Sequence, residues 1–269
     1  WLYSVLTDAY GDIPYDQATG GDEGEFTPEY TPQEQVYLGG LEGTPFAGEE
    51  PGLIALLDEA NSLLDPGGQS VSGDILYGGD VSKWKKFCNS LKLRLLTHLS
   101  SRDDQEALIS EKMQEVASNP GDFPIFESSE DNAVLSYLEA FPNQYPLIPL
   151  KIGDFDAVNL SATADSVLKS LNDPRLQEYA RPSNIDDIIS ASSDTTIEAE
   201  YDGLPNGFPA SADEKGSAAS RLGYRYYDYP DHPQRAEKAK GIIMTNAEVQ
   251  FMLAEAKTKG WINTGNAED

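Results

Sequence analysis

The sequence predicts a mainly α-helical fold with long irregular loops, on three observations. The first is the run Trp84–Ser100, in which Trp84, Phe87, Leu91, Leu95 and Leu99 recur at steps of three and four. At 3.6 residues per turn they share one apolar face, and that face must be buried. The second is helix punctuation. Asp80 follows two glycines as an N-cap, and Thr245 with Glu248 forms a capping box ahead of another apolar stripe. The third is what lies between: stretches rich in Gly, Pro, Ser, Asp and Thr with little period, which read as loops.

In chain order, Trp1, Val5 and Leu6 stand at helical spacing, and Gly11 ends that helix as a C-cap would. The words TDAYGDIPY then read as a tight buried turn between two helices, with Pro14 fixing an extended segment. From Ala18 to Pro51 the chain reads as a long excursion over the surface. Pro51 occupies a first-turn position, and Leu53, Leu56, Leu57, Ala60, Leu63 and Leu64 form a stripe that Pro66, Gly67 and Gly68 stop. A loop with Asp74, Leu76, Tyr77 and Gly79 joins this helix to the Trp84 helix as a hairpin. A third helix, from about Asp103 to Ser118, carries Ile109, Met113, Val116 and Ala117.

Residues 120–163 are irregular, and Pro142, Pro146 and Pro149 exclude a long helix there. Ala164, Val167, Leu168 and Leu171 mark a short helix running into Asn172-Asp173-Pro174-Arg175-Leu176, where Asp173 caps and Arg175 pairs with a carboxylate. In YDGLPNGF, from Tyr201 to Phe208, the glycines suit positive φ. The last clear helix is TNAEVQFMLAEAKTKG, with Val249, Met252, Leu253 and Ala256 inward, Lys257 and Lys259 in the last turn, and Gly260 as C-cap. No 34-residue repeat is visible.

The chain has 269 residues, 39% hydrophobic and 10% aromatic, and 46 acidic against 19 basic residues give a formal charge of −27. So strong a negative field repels phosphate backbones and anionic lipid headgroups, which argues against nucleic acid or direct electrostatic membrane binding. Cys88 is the one cysteine, so no intramolecular disulfide forms, and its place on the helix suits a small buried hydrophobe. No apolar run is long enough for a transmembrane helix. Both ends look cut, so the chain is read as a fragment of one domain spanning residues 1–269, with an N-terminal lipoprotein segment and a C-terminal part missing.

Four separated stretches carry a family resemblance: Trp84-Lys85-Lys86-Phe87 followed by Asn89-Ser90-Leu91; Asp8, Tyr10, Gly11, Asp12, Pro14 and Tyr15; Asn172–Leu176; and AEVQFMLAEA. YDGLPNGF is similar to a further family turn. Together they resemble the SusD/RagB family of outer-membrane nutrient-binding lipoproteins. One stretch departs: where the family leads Pro-x-Tyr-Asp-x-Gln straight into a helix, this chain has Pro28, Glu29, Tyr30, Thr31, Pro32 and Gln33, then a glycine-rich insertion from Gly39 to Gly52. The resemblance implies a SusD-like fold with tetratricopeptide-like helix pairs, long loops and minor β structure. It also implies a surface-exposed lipoprotein that binds oligosaccharide and hands it to a SusC-like TonB-dependent transporter, its lipid anchor upstream of Trp1.

No catalytic constellation stands out. Cys88 and His98, ten residues apart on one helix, would be separated by ~15 Å, too far for a nucleophile and its base. His98 reads as half-buried beside Leu95 and Leu99. His232 sits between Asp231 and Pro233, with no GxSxG elbow in the chain. Zinc signatures, an EF-hand and cofactor motifs are absent, so no metal and no cofactor are expected, although calcium on loop carboxylates such as Asp228 and Asp231 stays open. Binding is the better reading. Sugars present C–H faces and hydroxyls, which call for exposed rings beside hydrogen-bonding groups. Arg221, Tyr224, Arg225, Tyr226, Tyr227, Asp228 and Tyr229 form the densest such patch, and Phe141, Asn143, Gln144 and Tyr145 form a second. The alternatives are that these tyrosines pack inward, that the chain is a protein-binding helical scaffold, or that two of its many carboxylates make a glycosidase.

Overall fold

The computed structural model describes residues 1–24, 26–138, 158–191, 196–207, 219–223 and 240–265. It is mainly helical and divides into two compact units, Trp1–Leu135 with Ile242–Asp269, and Ser136–Gly241. The first unit holds α1 (Leu2–Tyr10), α2 (Gln33–Leu38), α3 (Leu53–Leu63), α4 (Val81–His98) and α5 (Glu106–Ser118). The second holds α6 (Ala162–Ser170), α7 (Leu176–Tyr179) and α8 (Ile185–Ser190). A two-stranded sheet of β1 (Ala133–Ser136) and β2 (Lys240–Met244) marks where the chain passes from the first unit and comes back, and α9 (Asn246–Thr258) completes the first unit.

The axis of the first unit is α4, which packs against α3, α5 and α9. Asp80 caps it as expected, its carboxylate accepting from the backbone N–H of Ser82 and Lys83. The predicted stripe is only part of what α4 buries. Cys88, Asn89, Ser90, Lys92, Leu93 and Leu96 are buried too, so three neighbouring helices cover most of its circumference. Lys92, a basic residue off the apolar stripe, is 1% exposed. Its ammonium meets Asp58 and Glu115 and lies 5.1 Å from the Phe123 ring centroid, so its charge is compensated where it is desolvated. Lys86 reaches Glu127 and Asp131, and Arg94 makes a two-pronged contact with Glu248 at 2.5 and 2.6 Å.

The Asn89-Ser90 pair has a packing role. Asn89 Nδ2 donates to Asn61 Oδ1 on α3 and to the Pro124 carbonyl, and Ser90 Oγ accepts from the Phe126 N–H at 3.0 Å. Together they hold Pro124–Phe126 against the helix, and Phe126 is fully buried, stacked on Phe87 at 6.2 Å. Cys88 is buried, and desolvation pushes its thiol up to about 11, as expected of an inert core residue.

The loop before α4 is organised by Asp74. Its carboxylate accepts from the N–H of Leu76, Tyr77 and Gly79 and from the Trp84 indole at 2.8 Å. Desolvation pushes this carboxyl up, but the four donors outweigh it and hold Asp74 below the usual range. Gly79, at φ 91°, has no room for a side chain, since a Cβ would lie 2.4 Å from Ser70 Oγ.

Other expectations are corrected. Residues 18–51 do not all run over the surface, because α2 buries Val36, Tyr37 and Leu38 in the core. Pro51 lies outside α3, whose N-cap is Gly52. Gly52 N donates to Gly39 O at 2.8 Å, and a Cβ on either glycine would strike backbone, so the 39–52 insertion closes on itself at two glycines. Leu56 and Leu63 of α3 are exposed, while Ile54 and Asn61 are buried. On α1, Ser4 and Thr7 face inward and Leu2, Val5 and Leu6 are exposed, because its anchors are polar. On α6 Val167 is exposed and Asp165 buried, and Leu171, the C-cap, is exposed. In the YDGLPNGF turn only Gly207 has positive φ, 73°; Gly203 is needed because a Cβ would come 2.5 Å from Ala162 Cα. The capping box of α9 is half made: Thr245 accepts from the Glu248 N–H, while the Glu248 carboxylate grips Arg94.

Helix α5 buries Ile109, Met113 and Val116 as its spacing predicts. Arg175 pairs with Asp173, whose side chain also accepts from the Arg175 N–H at 2.9 Å.

Candidate functional site

Of the predicted ligand-contacting residues, Arg221 is described. Tyr224, Tyr226, Tyr227, Tyr229, Phe141, Asn143 and Tyr145 lie outside the described residues, as do Gln144, Arg225, Asp228, Asp231 and His232. What the structure defines is how the ends of the two aromatic-bearing segments, 139–157 and 224–239, are held in the second unit.

At one end four pieces of chain are laced by backbone hydrogen bonds, residues 202–204 joining where Leu204 N donates to Leu160 O and Asp202 O accepts from Ser220 N. Leu160 N donates to Ser220 O and Leu222 N to Val158 O; Arg181 N donates to Arg221 O and Gly223 N to Tyr179 O. Arg221 bridges Asn159, and Ala180 bridges Leu222. Ser220 and Arg181 are buried, and the Arg181 guanidinium donates through Nε to Leu222 O. Gly223 is required here, because a Cβ would lie 2.3 Å from Glu178 O. At the other end Ser136 of β1 accepts from the Lys240 ammonium of β2 at 2.9 Å. Residue 158, which closes the first segment, therefore sits beside residues 222 and 223, which open the second. The start of the first and the close of the second meet at the paired strands. Sequence reasoning found the two aromatic patches separately; their shared anchorage comes from hydrogen bonds between residues mostly forty or more positions apart, which no local pattern signals.

The first unit holds a polar cluster that sequence reasoning missed. Tyr37 donates to Asp8 Oδ1 at 2.6 Å, and His98 Nδ1 stands 2.9 Å from Asp8 Oδ2 and 3.1 Å from the Tyr37 hydroxyl. Burial, then the bond to Asp8, pushes the Tyr37 phenol far above its usual range, so it stays a neutral donor. Gln33 Nε2 donates to Thr7 O, Gln33 N to Asp12 Oδ1, and Tyr15 donates to Pro51 O. The TDAYGDIPY stretch thus clasps α1 to α2 and α4 through its polar atoms. His98, read from the sequence as half-buried, is exposed instead, because its ring turns out toward Asp8 and Tyr37 and serves the clasp.

A glycosidase acid needs a carboxyl raised above its ordinary value. Asp74, Asp80, Asp104, Asp131 and Asp173 are all held below it. At Asp104 and Asp173 the leading cause is the neighbouring arginine, Arg102 and Arg175; at Asp131 desolvation opposes but the Glu127 N–H and Lys86 prevail. Among the described residues no group of His, Cys, Asp and Glu is placed to hold a metal ion. No described helix is long and apolar enough to cross a membrane.

The comparisons place the chain within one family. The family described as "Starch-binding associating with outer membrane" (SusD-like) matches residues 1–269, and the chain belongs to it. A SusD homolog from Bacteroides fragilis is 27% identical with a TM-score of 0.72, covering 98% of this chain and 52% of its own. A candidate nutrient-binding outer-membrane protein from Bacteroides vulgatus is 27% identical with a TM-score of 0.74, at 98% and 53%. A chitin-binding protein is 26% identical with a TM-score of 0.71, at 99% and 51%. The chain spans about half the length of these solved relatives. No curated protein matches.

Proposed function

We propose that this chain is the helical platform and loop-bearing part of a non-catalytic glycan-binding protein of the outer membrane. It delivers oligosaccharide to a SusC-like TonB-dependent transporter and is held at the cell surface by a lipid anchor outside residues 1–269. The observation that carries the reading is the shared anchorage of segments 139–157 and 224–239. Two stretches rich in rings, amides and carboxylates, tied beside each other at both ends, can serve one ligand, with Arg221, Tyr224, Tyr226, Tyr227, Tyr229, Phe141, Asn143 and Tyr145 as the contacting set. The family's starch-binding description and the chitin-binding relative support a sugar as cargo. A few stacked rings and hydrogen bonds give affinities on the order of micromolar to millimolar.

Affinity electrophoresis against a polysaccharide panel tests this. The wild-type chain should be retarded by at least one glycan, and a Tyr226→Ala/Tyr227→Ala/Tyr229→Ala variant should lose most of that retardation while releasing no reducing sugar. A chain retarded by none would be a scaffold of another kind.

A further inference from the structure

The segment that departs from the family pattern carries a cavity that neither aromatic patch explains. It has a volume of about 230 Å³ in the first unit and is lined by Asp16, Gln17, Glu29, Tyr30, Thr31 and Gln35, with Pro32. That is the scale of one sugar ring, below the roughly 300–1,000 Å³ of drug-sized pockets.

Two bonds fix part of its wall and leave the rest of each polar group open. Thr31 is buried, pairs with Ile13 as an antiparallel bridge and donates its hydroxyl to Asp16 Oδ2 at 3.0 Å. Gln17 Oε1 accepts from the Glu29 N–H at 3.0 Å. Among the described residues this leaves Asp16 Oδ1, the Gln17 amide N–H₂, the Glu29 carboxylate, the Gln35 amide and the Tyr30 hydroxyl without a partner. Tyr30 is 69% exposed, where an unpaired aromatic side chain gains nothing from the core. An exposed aromatic residue beside two amides and two carboxylates, with Asp16 and Gln17 held in place by their bonds to Thr31 and Glu29, matches a pyranose: C–H faces for the ring, hydroxyls for the amides and carboxylates. No lysine or arginine lines the cavity. An acidic sugar would meet Asp16 and Glu29 uncompensated, whereas a neutral or amino sugar would not.

We infer that this cavity is a sugar subsite, separate from the tyrosine segments, that takes one neutral or amino pyranose and rejects uronic acids. The inference rests on the glycan-binding reading but uses none of its residues.

The test is isothermal titration of the whole chain with three tetramers: a β-linked glucose tetramer, a glucosamine tetramer and a galacturonic acid tetramer. The wild type should bind the first two and not the third. Tyr30→Ala should weaken both on the order of tenfold. Glu29→Gln should weaken the glucosamine tetramer severalfold and leave the glucose tetramer within about twofold, as expected for an exposed charge pair. Phe251→Ala, an equally exposed ring on α9, should change nothing. Because Tyr30 and Glu29 are exposed, the variants should melt as the wild type does. Wild-type binding that survives Tyr30→Ala unchanged, or binding of the galacturonic acid tetramer as tight as the others, overturns the subsite and leaves the glycan-binding reading standing. So does a wild type that ignores all three tetramers yet is retarded by another polysaccharide. A wild type retarded by no glycan removes both.

Discussion

The two units hold their parts in different ways. In the first, α4 is buried by three helices and its neighbours contribute large side chains: Phe126, Leu38, Ile54, Leu93, Leu95, Leu96 and Met113 are all under 2% exposed. In the second, the described helices are four to nine residues long, and α8 buries none of its own. Its order comes from backbone hydrogen bonds lacing residues 158–162, 179–181, 202–204 and 219–223. Side-chain packing stabilises in proportion to buried apolar area and makes a stiff body. Backbone lacing fixes chain paths while leaving side chains free for other partners. The helical core of the first unit is built the first way and the anchorage beside residues 158 and 223 the second.

Truncating the core should therefore cost most. Phe126→Ala should destabilise the chain by about 3–5 kcal/mol in urea denaturation, whereas Val167→Ala on α6 should stay within about 0.5 kcal/mol. Equal costs would erase the contrast between the units. Next comes the buried ion cluster: Lys92→Ala leaves Asp58 and Glu115 facing a void with Lys112 as their remaining cation among the described residues, and should cost about 3 kcal/mol by the same measurement. In the second unit, Gly223→Ala forces backbone apart at the loop root. It should weaken glycan retention on the order of tenfold, about 1.4 kcal/mol, with the core transition in urea unmoved.

The smallest effect is with pH. Asp74 and Asp131 are lowered in the folded state, so their contribution is complete above the unfolded value and is lost as pH falls through the lower folded values. Stability should be level above pH about 5 and decline below the ordinary carboxylate value of 3.8. Asp74→Asn should flatten that decline in acid titrations followed by circular dichroism.

The helices α1, α3, α4, α5, α6 and α9 were legible because caps and apolar spacing are local. Asp80, Thr245 and Gly260 act within a turn of their own positions. Helix α2 was not, since its six residues carry less than two turns of period and its burial comes from neighbours distant in sequence. The outward apolar residues of α1 and α6 were misleading for a related reason: spacing reports which residues share a face, not which face meets a partner. For the candidate site, composition pointed to the tyrosine segments, but the common anchorage of their flanking residues depends on pairings such as Leu222 with Val158.

The sequence by itself determined the helical class, the family, the acidic surface and the residue types suited to sugars, because each follows from residues close together or from composition alone. Only the tertiary structure decided that Lys92 lies buried between two carboxylates, that Asp8, Tyr37 and His98 form one clasp, and that residues 158 and 222 are neighbours. These depend on which distant surfaces meet, and that is set by the packing of whole helices and the closure of long loops rather than by any single stretch of chain.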